Sequence, residues 1–489
     1  MQENYDNYDY DNLNHTLTAE EMSTFIGRTR ELAALETELD RTRPSVAVVM
    51  GRRRVGKSRL LLQATRDRPT VYYQATRVAA SMSLALFKNE AARLVGADPI
   101  LDSVSDWLAL LTRLEELAAE RLPGLTVLLD EFPYLCEADP SLPSVLQKYT
   151  DGLQKRGTAM NLILCGSRIS FMEELLGEKN PMHGRQTFEL DLEPLPLRDA
   201  ARFFPGWDED QRLRAYGIFG GIPYYLDLCD PGSSLEANVR ELVLSTGAPL
   251  ADEPNNLLQA ELRDVTRYAT ILRSVAEGCT VSGDIIGRVR EIRDASALAP
   301  YVRKLHDLRL IRIVRSLDAT ERERDRRYYL ADPFLAFWYR FHLPNASALG
   351  AGHDTQVWQH AIEPRLDDYM GGLFEWACRD HVRLFGQEVL PSAAREVGQI
   401  WSGNFDIDVA GQLLDGTPLA GKCKWWKEPI GASVLARLRE SVGQSPYFRN
   451  LQNDPIYLLF SRSGFTPELE RLREADASIR LLGPRDLLG

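Results

Sequence analysis

Cysteine and histidine are scarce, with six and seven copies in 489 residues. Cys136, Cys165, Cys229, Cys279, Cys378 and Cys423 are scattered and form no CxxC pair, which argues against a disulfide framework or a zinc ribbon. The histidines (His15, His183, His306, His342, His353, His360, His381) show no metal-ligand spacing. Neither GxSxG nor HExxH occurs, so nucleophile-elbow hydrolases and zincins are excluded. No apolar run approaches the ~18 residues of a membrane span. The opening MQENYDNYDYDNLNHT has no basic or apolar region, so no secretory signal and no membrane partner are expected. Reduced, scattered cysteines favour a cytoplasmic location. Basic excess is lacking too: 58 Lys and Arg face 70 Asp and Glu, a net charge of -12.

What is present is length enough for roughly two to four domains. Residues 1–24 hold Glu3, Asp6, Asp9, Asp11, Glu20 and Glu21 and no Lys or Arg, which reads as a disordered acidic tail. A regulatory role for its Tyr5, Tyr8 and Tyr10 is the other reading. From Phe25 to about residue 195, apolar runs (Val46–Met50, Thr70–Gln74, Thr126–Leu129, Leu162–Cys165, Thr187–Leu190) alternate with amphipathic stretches. That pattern predicts a parallel sheet covered on both faces. A helical stretch, 196–258, follows. Residues 259–345 read as short helices and a hairpin, Leu310–Val314 with Arg327–Leu330. Asn345–Gly352 reads as a linker into a last α/β domain, 346–489.

Gly51-Arg52-Arg53-Arg54-Val55-Gly56-Lys57-Ser58 fits GxxxxGK[ST] between an apolar strand and the helix that begins beside Arg59. The glycines let backbone N–H groups wrap phosphates, and the helix points its positive end at them. Lys57 is expected on the β- and γ-phosphates and Ser58 on Mg2+. Leu125–Leu129 ends in Asp130-Glu131, expected to hold Mg2+ through water and to activate the attacking water. Leu162–Cys165 leads to Gly166-Ser167-Arg168, a strand expected between the other two, with Ser167 as γ-phosphate sensor. Arg168 and Arg185 read equally as transition-state cations or as surface ion pairs.

Phe25-Ile26-Gly27-Arg28-Thr29-Arg30-Glu31-Leu32 resembles the hhGRExE motif of STAND-class ATPases, signalling NTPases related to AAA+ proteins. With Arg53–Ser58, Asp130–Leu135 and Gly220-Gly221-Ile222-Pro223, the stretch 24–345 is similar to the archaeal-type branch of that class. The resemblance implies ATP as nucleotide, and it implies Ile26, Gly27 and Arg28 near the adenine. Thr29 stands where the family usually has Glu. No guanine-reading NKxD is present.

Residues 261–330 contain 15 Lys or Arg against 11 Asp or Glu. Ser296–Leu305 reads as the second helix of a winged helix and Leu310–Leu330 as its wing. DNA contact through Arg288, Arg290, Arg293, Arg303, Lys304, Arg322, Arg324, Arg326 and Arg327 stands beside simple packing, because Glu321, Glu323 and Asp325 make the wing acidic as well. Farther on, Asn404–Ala410 and Leu419–Trp426 form a hairpin with Asp408 on one strand and Lys422-x-Lys424 on the next. That is the layout of PD-(D/E)xK nucleases, and the segment resembles the nuclease-like domain fused to archaeal-type ATPases. The resemblance implies Glu375 and Asp408 as metal-side acids and Lys424 as the catalytic lysine. Lys422 occupies the place of the family's Glu, and an ammonium repels a divalent cation. Asp406, two residues from Asp408, shares its face of the strand. Lys422 and Lys424 are therefore expected on phosphate or an acidic partner.

The fold expected is α/β: a P-loop NTPase with parallel sheet, helical lid, winged helix and restriction-endonuclease-like C-terminal domain. The function expected is an ATP-driven switch acting on nucleic acid. A Mg2+-dependent DNA nuclease and an ATP-binding scaffold with a protein partner are the alternatives, and oligomerisation stays open.

Overall fold

The computed structural model describes residues 25–156, 160–262, 264–319 and 326–489. The acidic tail and the wing residues 320–325 lie outside them. Two compact units result, one ending at Glu193 and one running from Pro194 to Gly489.

The first unit is built on β1 (Ser45–Met50), β2 (Thr70–Gln74), β3 (Thr126–Asp130), β4 (Asn161–Gly166) and β5 (Phe188–Asp191). All are parallel, in the order β2-β3-β4-β1-β5. Strands β1, β3 and β4 are buried throughout, which is why they read as unbroken apolar runs. Their side chains alternate between two cores. Val46, Val48, Val127, Leu129, Leu162 and Leu164 meet Phe87, Leu110, Leu114 and Leu146 from helices Ala80–Val95, Trp107–Arg121 and Leu142–Arg156. Ala47, Val49, Leu128, Ile163 and Cys165 meet Leu35, Leu39, Leu61 and Ala64 from helices Thr29–Leu39 and Lys57–Ala64. As expected, β4 lies between the strand before the P-loop and the strand carrying Asp130.

The second unit begins with helices that include Glu209–Phe219. Helices Val265–Ala276, Ser282–Arg288 and Ala295–Asp307 then precede the antiparallel pair β6 (Ile311–Arg315) and β7 (Arg326–Leu330). Asp294 caps the third helix by accepting from the Ala297 N–H at 2.9 Å, and Leu298, Val302 and Leu305 form its buried stripe. The aromatic run packs inward: Phe334, Phe337, Trp338, Tyr339 and Phe341 are buried, and the Trp338 indole donates to Ala251 O at 2.6 Å. The linker expected at Asn345–Gly352 is not a loop. Ala346–Gly350 is helical and Leu349 is buried, because Ala-Ser-Ala-Leu favours a helical turn once the leucine has a core to enter.

A second sheet has the order β12-β11-β10-β9-β8. Strands β8 (Ala394–Trp401), β9 (Asp406–Leu413) and β10 (Pro418–Lys424) run antiparallel. Strands β11 (Ile456–Ser461) and β12 (Ile479–Leu482) continue parallel to β10. Helix Glu363–Phe385 lies on β8, β9 and β10. Helix Ala432–Gln444 packs Val434, Leu435 and Leu438 into the sheet's core. The chain leaving β6 docks on β8, where Leu317 N–H donates to Gln399 O at 3.0 Å, and on the residues after helix Ala432–Gln444, where Asp318 accepts from Ser445 Oγ at 2.9 Å and Tyr447 N–H at 2.6 Å. No described helix is long and apolar enough to cross a membrane.

Candidate nucleotide site

The loop after β1 is a tight backbone cradle. Gly51 has φ +154°, and a Cβ there would lie 2.5 Å from Leu192 O, so only glycine fits. Gly56, at φ +92°, leads into the helix whose N–H groups open onto the loop. Arg54 is left-handed at φ +67° and exposed, Arg53 is exposed, Arg59 is half-buried and Val55 is fully buried. Lys57 is buried with Nζ donating to Gly51 O and Arg52 O, 3.0 Å each. Its ammonium therefore already lies across the cradle.

The tips of β3 and β4 complete the cluster. Ser58 Oγ donates to Asp130 Oδ2 at 2.6 Å, and Tyr72 OH donates to the same oxygen at 3.0 Å. Glu131 is left-handed at φ 49°, an unusual conformation for a residue with a side chain, and its N–H donates to Asp130 Oδ1 at 2.9 Å. Its carboxylate crosses to β4, where Ser167 Oγ donates to Oε2 at 2.8 Å. The expected set Gly51–Ser58, Asp130, Glu131 and Ser167 is thus brought together.

Tyr72 was not singled out in the sequence. The alternation of Thr-Val-Tyr-Tyr-Gln along β2 was the available signal, since Tyr72 shares the β1 core of Ala47 and Val49. Burial, with Asp130 beside it, pushes its phenol well above its ordinary range, so it stays a hydrogen-bond donor. Burial likewise pushes the Cys165 thiol up, with Asp130 adding to the effect, which keeps it unreactive.

Arg28, just before helix Thr29–Leu39, is buried and left-handed at φ 61°. Its guanidinium donates to Val55 O at 3.1 Å, Glu193 O at 2.6 Å and Glu31 at 3.0 Å. It clasps the P-loop from behind. Ile26 is half-buried and Gly27 sits at φ 74°. Arg168 pairs with Glu137, and Arg185 pairs with Asp151 at 3.0 Å. Neither arginine hydrogen-bonds to Lys57, Ser58, Asp130 or Glu131.

Mg2+ takes hard oxygen ligands, commonly one or two carboxylates with water and phosphate. The adjoining Ser58 hydroxyl and Asp130 carboxylate are such a donor set. Among the described residues no group of three His, Cys, Asp or Glu forms a cage of its own.

The second sheet carries an acid–lysine cluster. Lys422 Nζ donates to Asp406 Oδ2 at 2.5 Å and to Asp408 Oδ1 at 2.9 Å. Asp408 Oδ2 accepts from the Cys423 N–H at 2.9 Å, and Arg379 holds the Asp408 carbonyl at 2.7 Å. The expectation that Lys422 turns to an outside phosphate or acidic partner is corrected, because its charge is already spent on two carboxylates of its own sheet. Burial opposes that charge, yet Asp408 and Asp406 hold the ammonium above its ordinary range. Burial, reinforced by Asp408, pushes the Glu375 carboxyl up to about 7. Lys424 lies beside Trp426, 5.1 Å from the ring centre.

Residues 25–228 match a family described as an ATPase domain predominantly from Archaea. Residues 338–434 match a family of archaeal and bacterial proteins of unknown function. An uncharacterized protein of Methanocaldococcus jannaschii is 29% identical over 408 residues, covering 82% of this chain and 87% of its own. Among solved structures, the Walker-type ATPase of Pyrococcus abyssi aligns with TM-score 0.50 and 19% identity over 66% of this chain and 97% of its own. The ORC2 protein of Aeropyrum pernix, in ADPNP–ADP complexes, aligns with TM-score 0.42 and 18% identity over 68% of this chain and 94% of its own. The stretch that matches the archaeal ATPase-domain family is the one that carries the cradle, the Asp130-Glu131 pair and the five-stranded parallel sheet.

Proposed function

We propose that this chain is an ATP-hydrolysing switch whose nucleotide state governs a winged helix and a nuclease-like domain that no longer cuts, acting on nucleic acid. The observation that carries the reading is the joined cluster at the strand tips: Ser58 on Asp130 at 2.6 Å and Ser167 on Glu131 at 2.8 Å. It supports reading Asp130 as the metal-side carboxylate and Glu131 as the base. In hydrolysis, the backbone N–H groups of Gly51–Ser58 hold the ATP phosphates, and Lys57 trades its two carbonyl partners for β- and γ-phosphate oxygens. Ser58 and Asp130 would hold Mg2+, which supplies positive charge against those oxygens. Glu131 takes the proton of the attacking water as its oxygen bonds to the γ-phosphorus. The bond from that phosphorus to the β-phosphate oxygen breaks, leaving ADP and phosphate. Ser167, just after β4, positions Glu131 with its one hydroxyl proton and turns that proton to a γ-phosphate oxygen when ATP is bound.

Three helices followed by a two-stranded hairpin support the winged-helix reading. Arg290, Arg293 and Arg303 are exposed on it and are available to phosphates. The β6 exit, by contrast, is tied to β8, so wing contacts to DNA from Leu317 and Asp318 are disfavoured. Loss of cutting is supported by Lys422, which holds Asp406 and Asp408 where a nuclease needs them for metal. The test is phosphate release by wild type and Glu131→Gln. Tight ATP binding without turnover by wild type would sink the switch in favour of a passive scaffold.

A further inference from the structure

We propose that the cleft beside the end of β10 binds an unpaired nucleotide, with its base stacked on Trp426 and its phosphate on Lys424 and Arg437, and holds it without cutting. The inference deepens the nucleic-acid part of the reading above and rests on it.

The cleft has a volume of about 380 Å³, within the roughly 300–1,000 Å³ range of small-ligand sites. One wall is the end of β10 with Trp426, and the other is helix Ala432–Gln444. Trp426 is 46% exposed, although hydrophobic side chains this large are otherwise mostly buried in this chain. An exposed indole at a cleft mouth offers a flat face to any base, which is how sequence-tolerant binding of single strands works. Phe405 adds a second aromatic side chain to the lining.

The charges suit a phosphate. Lys424 and Arg437 face the cleft, and among the described residues neither has an acidic partner within ion-pair distance. Lys422 also lines it, but it is committed to Asp406 and Asp408. That internal pairing matters for binding. Uncompensated, the two carboxylates would repel a phosphate, and a nuclease would answer with a divalent cation. Here the Lys422 ammonium offsets one of the two carboxylate charges, and Lys424, against the Trp426 ring, and Arg437 add two cations at the rim, so the sum of these five groups is positive. An ammonium cannot activate water as a bound metal does, so the strand is held intact. Glu440 is the one acid of the lining outside this cluster. Asn404 and Gln444 add amides that can meet the polar edge of a base.

A base can stack on Trp426 only when it is out of a duplex, so the chemistry excludes paired DNA. A free nucleotide and a single strand share it. The test measures fluorescence anisotropy of a 5′-labelled oligothymidylate of roughly twelve residues with the full chain, in EDTA and without ATP. The same-length duplex and unlabelled thymidine monophosphate serve as competitors. The strand is expected to bind and the duplex to compete poorly. Trp426→Ala is expected to weaken binding about 5- to 150-fold, and Trp426→Phe to keep most of it. Lys424→Gln and Arg437→Gln should each lower the salt dependence by about one phosphate contact. Competition by the monophosphate at matched nucleotide concentration identifies a free nucleotide as the ligand, and competition by polymer alone identifies a strand. Binding that ignores Trp426→Ala and Arg437→Gln, a duplex that binds equally well, or no binding at all overturns the proposal. Because ATP is absent, such a failure leaves the P-loop reading standing, while loss of phosphate release alone leaves the cleft standing.

Discussion

The Ser167 hydroxyl donates to Glu131 Oε2 at 2.8 Å, so the strand between the P-loop strand and the acid strand controls where the base points. Glu131→Gln keeps the size of the side chain and this hydrogen bond but removes the proton acceptor. Steady-state phosphate release is expected to fall about 10²- to 10⁴-fold. ATP affinity, read by calorimetry, should move by less than about threefold. Release that survives the substitution would take the base role away from Glu131.

Lys57 lies across the cradle on Gly51 O and Arg52 O. Lys57→Ala deletes a charge-assisted contact to phosphate worth about 1.5–3 kcal/mol. Calorimetric ATP affinity is expected to drop by roughly 10- to 150-fold. An unchanged affinity would mean that ATP does not bind in this loop.

Gly51→Ala tests the cradle itself. The added methyl would meet Leu192 O at 2.5 Å on a backbone at φ +154°. The expected cost is about 1–3 kcal/mol, seen as a lowered melting temperature together with weakened ATP binding. A variant with wild-type stability and affinity would show that the loop is not held as tightly as its geometry says.

The P-loop, the Asp130-Glu131 pair and the strand between them were legible because each is a contiguous run with a fixed period and a fixed ending. Tyr72 was not, since its partner Asp130 lies 58 residues away and only the sheet order brings them together. Arg28 shows the same limit. The motif flags the residue, but only the fold shows its guanidinium on Val55 O and Glu193 O. Lys422 could be recognised as out of place in sequence, yet its two carboxylate partners depend on the register of β9 against β10. The knot of Arg462 with Asp210 at 2.5 Å and Asp367 at 2.9 Å joins three distant segments and has no local signature.

Glu375 gives a pH signature. Its carboxyl is pushed from 4.5 up to about 7 by burial first and Asp408 next, with Asp406 adding and Arg379 and Lys422 opposing. A raised folded-state value means that the folded chain holds this proton more tightly than the unfolded one. Its contribution to stability is therefore full below about 4.5 and is lost as pH rises through about 7. Glu375→Gln carries no such charge. Its melting temperature relative to wild type is expected to rise between pH 5 and pH 8. A difference that stays flat across that range would mean that Glu375 titrates normally.

Lys422 is the counter-charge of the second sheet, and two substitutions separate that role from a catalytic one. Lys422→Ala leaves Asp408, 5% exposed, without its cation, an expected loss of about 3–5 kcal/mol. Lys422→Glu puts a carboxylate beside Asp408 and Asp406 and so assembles hard oxygen ligands where the ammonium stood. Its melting temperature should fall without metal and recover with Mn2+, whereas wild type should not respond at this cluster. Purified wild type is expected to leave plasmid and single-stranded DNA uncut in Mg2+ or Mn2+. Robust cutting that Asp408→Ala abolishes would show that the cluster still assembles a metal despite Lys422, and would restore the nuclease reading.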